Sequence, residues 1–93
     1  MNNRLLPIGT VLTLTNRSQK VMIIGYMAEC PNEKYEYYKA VNFPVGEKDN
    51  NIISFNPEKI DEIYFMGYQT ASTLSFQESL KIIIDKLNSE EVL

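Results

Sequence analysis

The sequence predicts an α+β domain, in which a small curved antiparallel sheet of about five strands, partly barrel-like, carries a C-terminal amphipathic helix. The first observation behind this fold class is the apolar run 21–26, which is typical of a strand buried on both faces. The second is a set of further strand-like runs, and the third is an apolar stripe at helical spacing near the C-terminus. The 93 residues suffice for one domain, with the sheet predicted over 8–68 and the helix over 75–90. A flat two-layer α+β sandwich is the alternative architecture.

The predicted strands follow one another with short polar connections. Residues 10–15 alternate, with Leu12 and Leu14 on one face, which is the pattern of a half-buried strand. The polar segment 16–20 is short enough for a hairpin, so the first two strands should pair antiparallel. Gly25 interrupts the second strand, where glycine often marks a bulge. The remaining strands, of which we expect the last to be covered on both faces, are predicted over 35–43, 52–55 and 62–68.

Two local signals predict where helices begin. Asn56 before Pro57 predicts a single helical turn that is capped by the asparagine side chain. Ser75 followed by Glu78 has the pattern of a capping box and predicts the start of the terminal helix.

The terminal helix has an apolar stripe and a polar side. If the stripe packs on the sheet, it closes the core; the alternative is that it docks on another chain, which the apolar Ile82 outside the stripe favours. The apolar stripe consists of Phe76, Leu80, Ile83, Ile84 and Leu87. The predicted polar side consists of Gln77, Lys81, Asp85 and Lys86.

Composition and charge argue against several classes of function. The net charge of −3 opposes nucleic-acid binding, because phosphate backbones are bound by clustered Lys and Arg. The chain has no histidine and a single cysteine, Cys30, so neither a disulfide within the chain nor the usual imidazole-based catalytic and zinc sites can form. We therefore predict a protein that is not an enzyme, with no catalytic residues, no cofactor and no metal. No long apolar run is present, so we also expect no membrane partner and a cytoplasmic location.

The six tyrosines suggest a recognition surface, because tyrosine combines a large contact area with a polar tip. The candidate protein-binding residues are Tyr38, Tyr64, Tyr68 and Ile82. The alternative is that the tyrosines are cross-strand pairs with their hydroxyl groups at the surface, and we favour it for Tyr35 and Tyr37.

Four segments occur in an order that resembles a family of small proteins of unknown function from Gram-positive bacteria. Genes for that family commonly lie beside LXG-domain toxins of type VII secretion systems. The segments are Leu6-Pro7-Ile8-Gly9-Thr10-Val11, Met22-Ile23-Ile24-Gly25, Tyr35-Glu36-Tyr37 with Phe43-Pro44-Val45-Gly46, and Ile60-Asp61-Glu62-Ile63 with Phe65-Met66-Gly67-Tyr68.

This resemblance implies a non-enzymatic accessory protein for toxin export. Its expected role is that of a cytoplasmic chaperone or targeting adaptor, and its expected partner is an LXG-type toxin or one of the toxin's accessory proteins. Two other functions stay open: an immunity protein, which an acidic domain suits, and a small-barrel ligand-binding module or enzyme with a concave pocket. A homo-oligomer is also left open, and the sequence does not determine the order of the strands.

Overall fold

The computed structural model describes residues 5–29 and 34–90. Within these residues five antiparallel strands form one sheet in the order β4-β3-β2-β1-β5, and one α-helix follows. The two outermost strands, β4 and β5, do not pair with each other in this part of the chain, so the sheet stays open. The predicted α+β class is confirmed, but the sheet does not close into a barrel. The elements are β1 (Val11–Leu14), β2 (Lys20–Glu29), β3 (Tyr35–Asn42), β4 (Ile53–Phe55), a 3-10 turn (Pro57–Lys59), β5 (Ile60–Phe65) and α1 (Ala71–Glu90).

Strands β1 and β2 form the predicted antiparallel hairpin. Val11 lies opposite Met22, and Leu12 lies opposite Val21. The expected bulge in β2 is confirmed, because the register of β2 against β3 shifts between Ile23 and Gly25. The extra residue allows the ten-residue strand to bend while it continues to pair with β3.

One face of the sheet is covered by α1 and by the segment that precedes β1. Because side chains alternate along a strand, the residues that point to this side form a single core with Leu5 and with Ile84 of α1. The phenol groups of two neighbouring strands fix the preceding segment: the Leu6 N–H donates to Tyr38 Oη over 3.0 Å, and the Tyr26 hydroxyl donates to the Leu6 carbonyl. We call this side the covered face; its strand residues in the core are Leu12, Leu14, Val21, Ile23, Tyr38, Ala40 and Phe55.

The opposite side of the sheet has no helix or strand packed on it within residues 5–29 and 34–90, and we call it the open face. The prediction that the last strand is covered on both faces is therefore wrong, whereas residues 21–26 of β2 are all buried or partly buried. A single helix spans only part of one face, and β5 lies at the edge of the sheet, where five of its six residues are exposed. The open face carries the buried Val11, Thr13 and Val41, the partly buried Met22, and the exposed Lys20, Phe43, Glu62 and Phe65.

Helix α1 begins four residues before the predicted start, at Ala71 rather than Ser75. Thr70 and Thr73 exchange the bonds of a capping box: Thr70 Oγ1 accepts the Thr73 N–H over 3.1 Å, and the Thr70 N–H donates to Thr73 Oγ1 over 2.7 Å. Ser75 therefore lies inside the helix. Asn56, which was expected to cap the short turn, instead accepts the Tyr37 N–H on its Oδ1 over 3.1 Å.

The helix is also rotated relative to the predicted packing. Leu80 and Ile84 pack on the core as expected, but the side chain of Gln77, assigned to the polar side, is only 2% exposed. Asn88 is half-buried and binds the backbone of Tyr35 twice, as acceptor over 2.9 Å and as donor over 3.0 Å. These two amides fix the rotation of α1, so the rest of the apolar stripe faces outward. The exposed apolar residues of the helix are Phe76, Ile82, Ile83 and Leu87.

Candidate binding surfaces

The open face is ordered as two cross-strand rows. In one row Thr13 of β1 lies between Glu62 of β5 and Lys20 of β2, so an anion and a cation flank a small polar residue. The next row is apolar, and it consists of Phe65, Val11, Met22 and Val41. The pairing register alone creates this division, because each row draws one residue from each neighbouring strand.

A groove of about 440 Å³ lies along the apolar row. Val11 and Met22 form part of its floor, and the aromatic rings of Phe43 and Phe65 line it. Both phenylalanines are exposed, as is Tyr64. Val11 in the floor is buried, so the apolar surface that the groove offers to solvent comes largely from these aromatic rings. It is lined by Gly9, Val11, Lys20, Met22, Phe43, Tyr64 and Phe65.

A bulge in β5 places two consecutive aromatic residues on the same side. The register of β1 against β5 passes from Phe65 directly to Ile63, so Tyr64 is the extra residue, and Tyr64 and Phe65 both line the groove. The Tyr64 hydroxyl donates to Glu62 Oε1 over 2.6 Å, and this hydrogen bond raises the pKa of Tyr64 above its usual value. Lys20 Nζ lies 4.6 Å from the centre of the Tyr64 ring.

A second depression of about 610 Å³ lies farther along the sheet, next to the bulge of β2. Its lining mixes charged side chains, Glu29 and Lys39, with the apolar Ile24 and Ile52. No group of three His, Cys, Asp or Glu residues with the geometry of a metal site occurs in the described part of the chain. This depression brings no set of convergent catalytic groups together.

The outer surface of α1 is the second apolar surface. Phe76, Ile83 and Leu87 follow one another at helical spacing on one flank of the helix, where the ring of Phe76 lies 6.3 Å from that of Tyr26, and Ile82 is 65% exposed. We call Phe76, Ile83 and Leu87 the outer stripe. A helix with an exposed apolar stripe is a common element of helix-in-groove recognition.

Polar contacts fix α1 on the covered face. Gln77 Nε2 donates to Gln69 Oε1 over 3.1 Å and lies 3.5 Å from Tyr26 Oη, and burial raises the pKa of Tyr26 to about 12. At the other end of the helix the Tyr37 hydroxyl donates to Asp85, which also pairs with Lys81 Nζ over 3.0 Å. Burial and this carboxylate raise the pKa of Tyr37 to about 12, while the hydrogen bond from Tyr37 lowers the pKa of Asp85. These groups hold the helix in position on the sheet.

The four candidate protein-binding residues fall into three different environments. Tyr38 is only 2% exposed and belongs to the core, so its proposed exposure is wrong: its ring stacks on Phe55 at a centroid distance of 5.2 Å. Tyr64 lines the groove of the open face, and Tyr68, which is 81% exposed, follows β5 in the chain. Ile82 lies on α1 beside the outer stripe, away from the strands that form the groove.

The sequence reading missed several residues of these surfaces. Phe43, Phe65 and Met22 were assigned to strands but not to one surface, because the register that aligns them depends on pairing between distant segments. Lys20 was assigned to a hairpin loop, although it begins β2 and pairs with Thr13. The sequence does not reveal the order of the strands. Once β5 is known to lie next to β1, the alternation of side chains predicts the two rows.

The described helix is not long and apolar enough to cross a membrane.

Comparison with known proteins gives a match to one family. No curated protein and no solved structure is similar enough to the chain to count as a match. One family model covers residues 5–76, which include the whole sheet and the first turns of α1. The chain thus belongs to the family described as a domain of unknown function, DUF4176.

Proposed function

We propose that this protein is a non-enzymatic accessory protein that binds a protein partner through the outer stripe of α1. In the wider proposal it acts in the cytoplasm as a chaperone or targeting adaptor for an LXG-type effector of a type VII secretion system. The partner class comes from the resemblance of four segments to small proteins encoded beside such toxins. The observation that supports binding through α1 is the rotation of the helix, which buries Gln77 and exposes Phe76, Ile83 and Leu87.

The energetics of this arrangement favour a partner. A helix that serves only to cover a sheet gains most by burying its largest apolar side chains, at about 25 cal/mol for each Å² removed from water. Here three large side chains of the predicted stripe remain exposed, while a glutamine side chain occupies the core, its Oε1 without a hydrogen-bond partner among the described residues. The outer stripe therefore keeps apolar area that a helical or groove-shaped partner surface would bury.

Family membership does not by itself assign this surface. The matched residues end at 76, whereas Ile82, Ile83 and Leu87 lie beyond that point.

Co-purification tests the proposal. The chain would be expressed together with an LXG-type effector from the same host, and we expect a stable complex that survives size-exclusion chromatography. Ile83→Asp on the outer stripe should abolish the complex, because it places a charge in the apolar contact. Lys48→Glu, in an exposed loop, serves as control and should leave the complex intact. No complex with the wild-type chain, together with normal toxin export after gene deletion, would contradict the adaptor.

An immunity protein is the second candidate, favoured by the net charge of −3 and by exposed carboxylates such as Asp61 and Glu62. Charge complementarity of this kind steers association with a basic toxin surface. Deletion of the gene distinguishes the two roles. Loss of immunity makes the strain sensitive to its own toxin, whereas loss of an adaptor leaves the strain viable and its toxin unsecreted.

A further inference from the structure

We infer that the open face is an interface with a second copy of this chain, formed about a two-fold axis parallel to β1. The inference concerns the opposite side of the sheet from α1, and it does not depend on the proposed function. The order of residues across β5, β1 and β2 supports such an interface.

The open face has the composition of the centre and rim of an interface. Its apolar row, with Phe65 at one end and Met22 towards the other, runs beside the groove between exposed aromatic rings. Phe65 is 63% exposed although it lies in a strand. An apolar centre with charged groups at its border is the arrangement that protein interfaces share.

The charged row indicates which partner fits the open face. Glu62 and Lys20 lie at equal distances in the pairing register on either side of Thr13. Within the described residues Lys20 has no carboxylate within salt-bridge distance; its ammonium group lies over the ring of Tyr64 instead. The carboxylate of Glu62 accepts only the Tyr64 hydroxyl among the described contacts. Each face therefore offers one cation and one anion that a matching surface can pair.

A two-fold axis along β1 makes this surface complementary to itself. Rotation about that axis exchanges the β5 side with the β2 side, so Glu62 of each copy faces Lys20 of the other, and Phe65 faces Met22. Facing sheets pack about 10 Å apart, a gap that lysine and glutamate side chains can bridge together. The same residues then serve both copies, as the symmetry of a two-fold interface requires.

Pairing of two sheets edge to edge is the less suitable way to join two copies. The exposed edge strand β5 departs from regular register at two points, between Val11 and Leu12 and between Thr13 and Leu14. Bulges of this kind interrupt the ladder that an added strand would continue, and proteins use them to block such pairing. β4, the other edge strand, has only three residues. The face, rather than an edge, is the surface on which a second copy fits.

Charge exchange tests the interface by sedimentation velocity on the full chain. We expect the wild type to sediment as a dimer at micromolar concentration. Lys20→Glu and Glu62→Lys should each raise the dissociation constant by about tenfold or more, because each creates two like-charge contacts in a symmetric dimer. The double variant, Lys20→Glu with Glu62→Lys, should regain the dimer, since both pairs are restored with the charges exchanged.

A matched pair of apolar substitutions supplies the second measurement. Phe65→Ser should dissociate the dimer, whereas Ile82→Ser should leave it unchanged, although the two side chains are equally exposed, 63% and 65%. Circular dichroism confirms that each variant is folded, which is expected because both residues lie at the surface. A monomeric wild type, or single charge reversals that leave the dimer intact, would overturn the inference. So would a folded double variant that stays monomeric, or a Phe65→Ser variant that loses an effector but not self-association.

Discussion

The two faces of the sheet use the same strands but differ in what covers them. On the covered face, α1 and the segment before β1 enclose side chains such as Ile23 and Leu12, which have no exposed surface. On the open face, Phe43 and Phe65 remain in solvent beside a groove. Alternation produced apolar residues on both sides of β1 and β2, but one helix can cover only one side. Apolar content therefore predicts which strands form, whereas the number of covering elements decides which face keeps apolar side chains in solvent.

The largest effect is expected at Gly67, which follows β5 in the chain and lies against the segment before β1. A Cβ atom built on this glycine would lie 2.1 Å from the Ile8 carbonyl oxygen and 3.0 Å from the Thr10 nitrogen. Gly67→Ala should therefore cost roughly 3 kcal/mol or more in the free energy of unfolding, measured by urea denaturation. Gly25→Ala is the control and should cost less than about 1 kcal/mol, because its nearest contacts are side-chain atoms of Lys39 at 3.8 Å and 3.9 Å. Equal losses for the two variants would contradict the close approach.

The second prediction compares the faces directly. Ile23→Ala, on the covered face, should lower the free energy of unfolding by about 3 kcal/mol, because the deletion leaves a cavity in a fully packed site. Phe65→Ala, on the open face, should cost less than about 1 kcal/mol in the monomer, since most of the ring is already exposed. Denaturation at low protein concentration checks both values. A large loss for Phe65→Ala would show that the open face is covered.

A smaller effect is expected from alkaline pH. Burial raises the pKa of Tyr26 to about 12 and raises that of Tyr38, and both phenols bind Leu6 on the covered face. A raised pKa means that the folded state holds the proton more tightly. This contribution to stability is therefore complete below pH 10, the ordinary pKa of a tyrosine, and is lost as the pH rises toward 12.

Thermal melts between pH 8 and pH 11 measure this dependence. The double variant Tyr26→Phe with Tyr38→Phe should have lower stability at neutral pH but a flatter profile above pH 10, because two titrating groups are gone. A wild-type profile as flat as that of the double variant would exclude these phenols as the cause.

Removal of a single hydroxyl group should also affect stability differently on the two faces. Tyr38→Phe leaves the partly buried Leu6 N–H without its acceptor, so we expect a loss of about 1–2 kcal/mol. Tyr64→Phe should change the free energy of unfolding by less than about 0.5 kcal/mol, because its partner Glu62 is exposed and water can replace the hydroxyl. Urea denaturation of both variants tests the contrast, and a reversed order of the losses would refute it.

The smallest effect concerns the start of the covering helix. Thr70→Ala removes the side chain that accepts the Thr73 N–H and should cost about 1 kcal/mol. Ser75→Ala should be neutral or slightly stabilising, since Ser75 is an exposed position inside α1 and alanine is the better helix former. If Ser75→Ala were the more harmful of the two in thermal melts, the helix would begin where the sequence pattern placed it.

Local patterns predicted most of the strands and the helix, but fewer of the contacts that these elements make. The strands, the hairpin and the bulge next to Gly25 follow from alternation and composition over a few residues. The start of α1 was misplaced because Ser75 and Glu78 match a capping box, while Thr70 and Thr73 form the same reciprocal bonds without the usual Glu. Of the candidate binding residues, Tyr64, Tyr68 and Ile82 are exposed, but the aromatic pattern could not distinguish the two exposed tyrosines from the buried Tyr38.

The α+β class, the apolar strands and the helical stripe follow from the amino-acid sequence, because each depends on contacts between residues that are near in the chain. Which apolar side chains are buried depends on the tertiary fold. The rotation of α1 depends on Asn88 reaching the backbone of Tyr35, and the rows of the open face depend on β5 pairing with β1, the first strand of the sheet. Both are contacts between distant segments, and short-range periodicity carries no information about them.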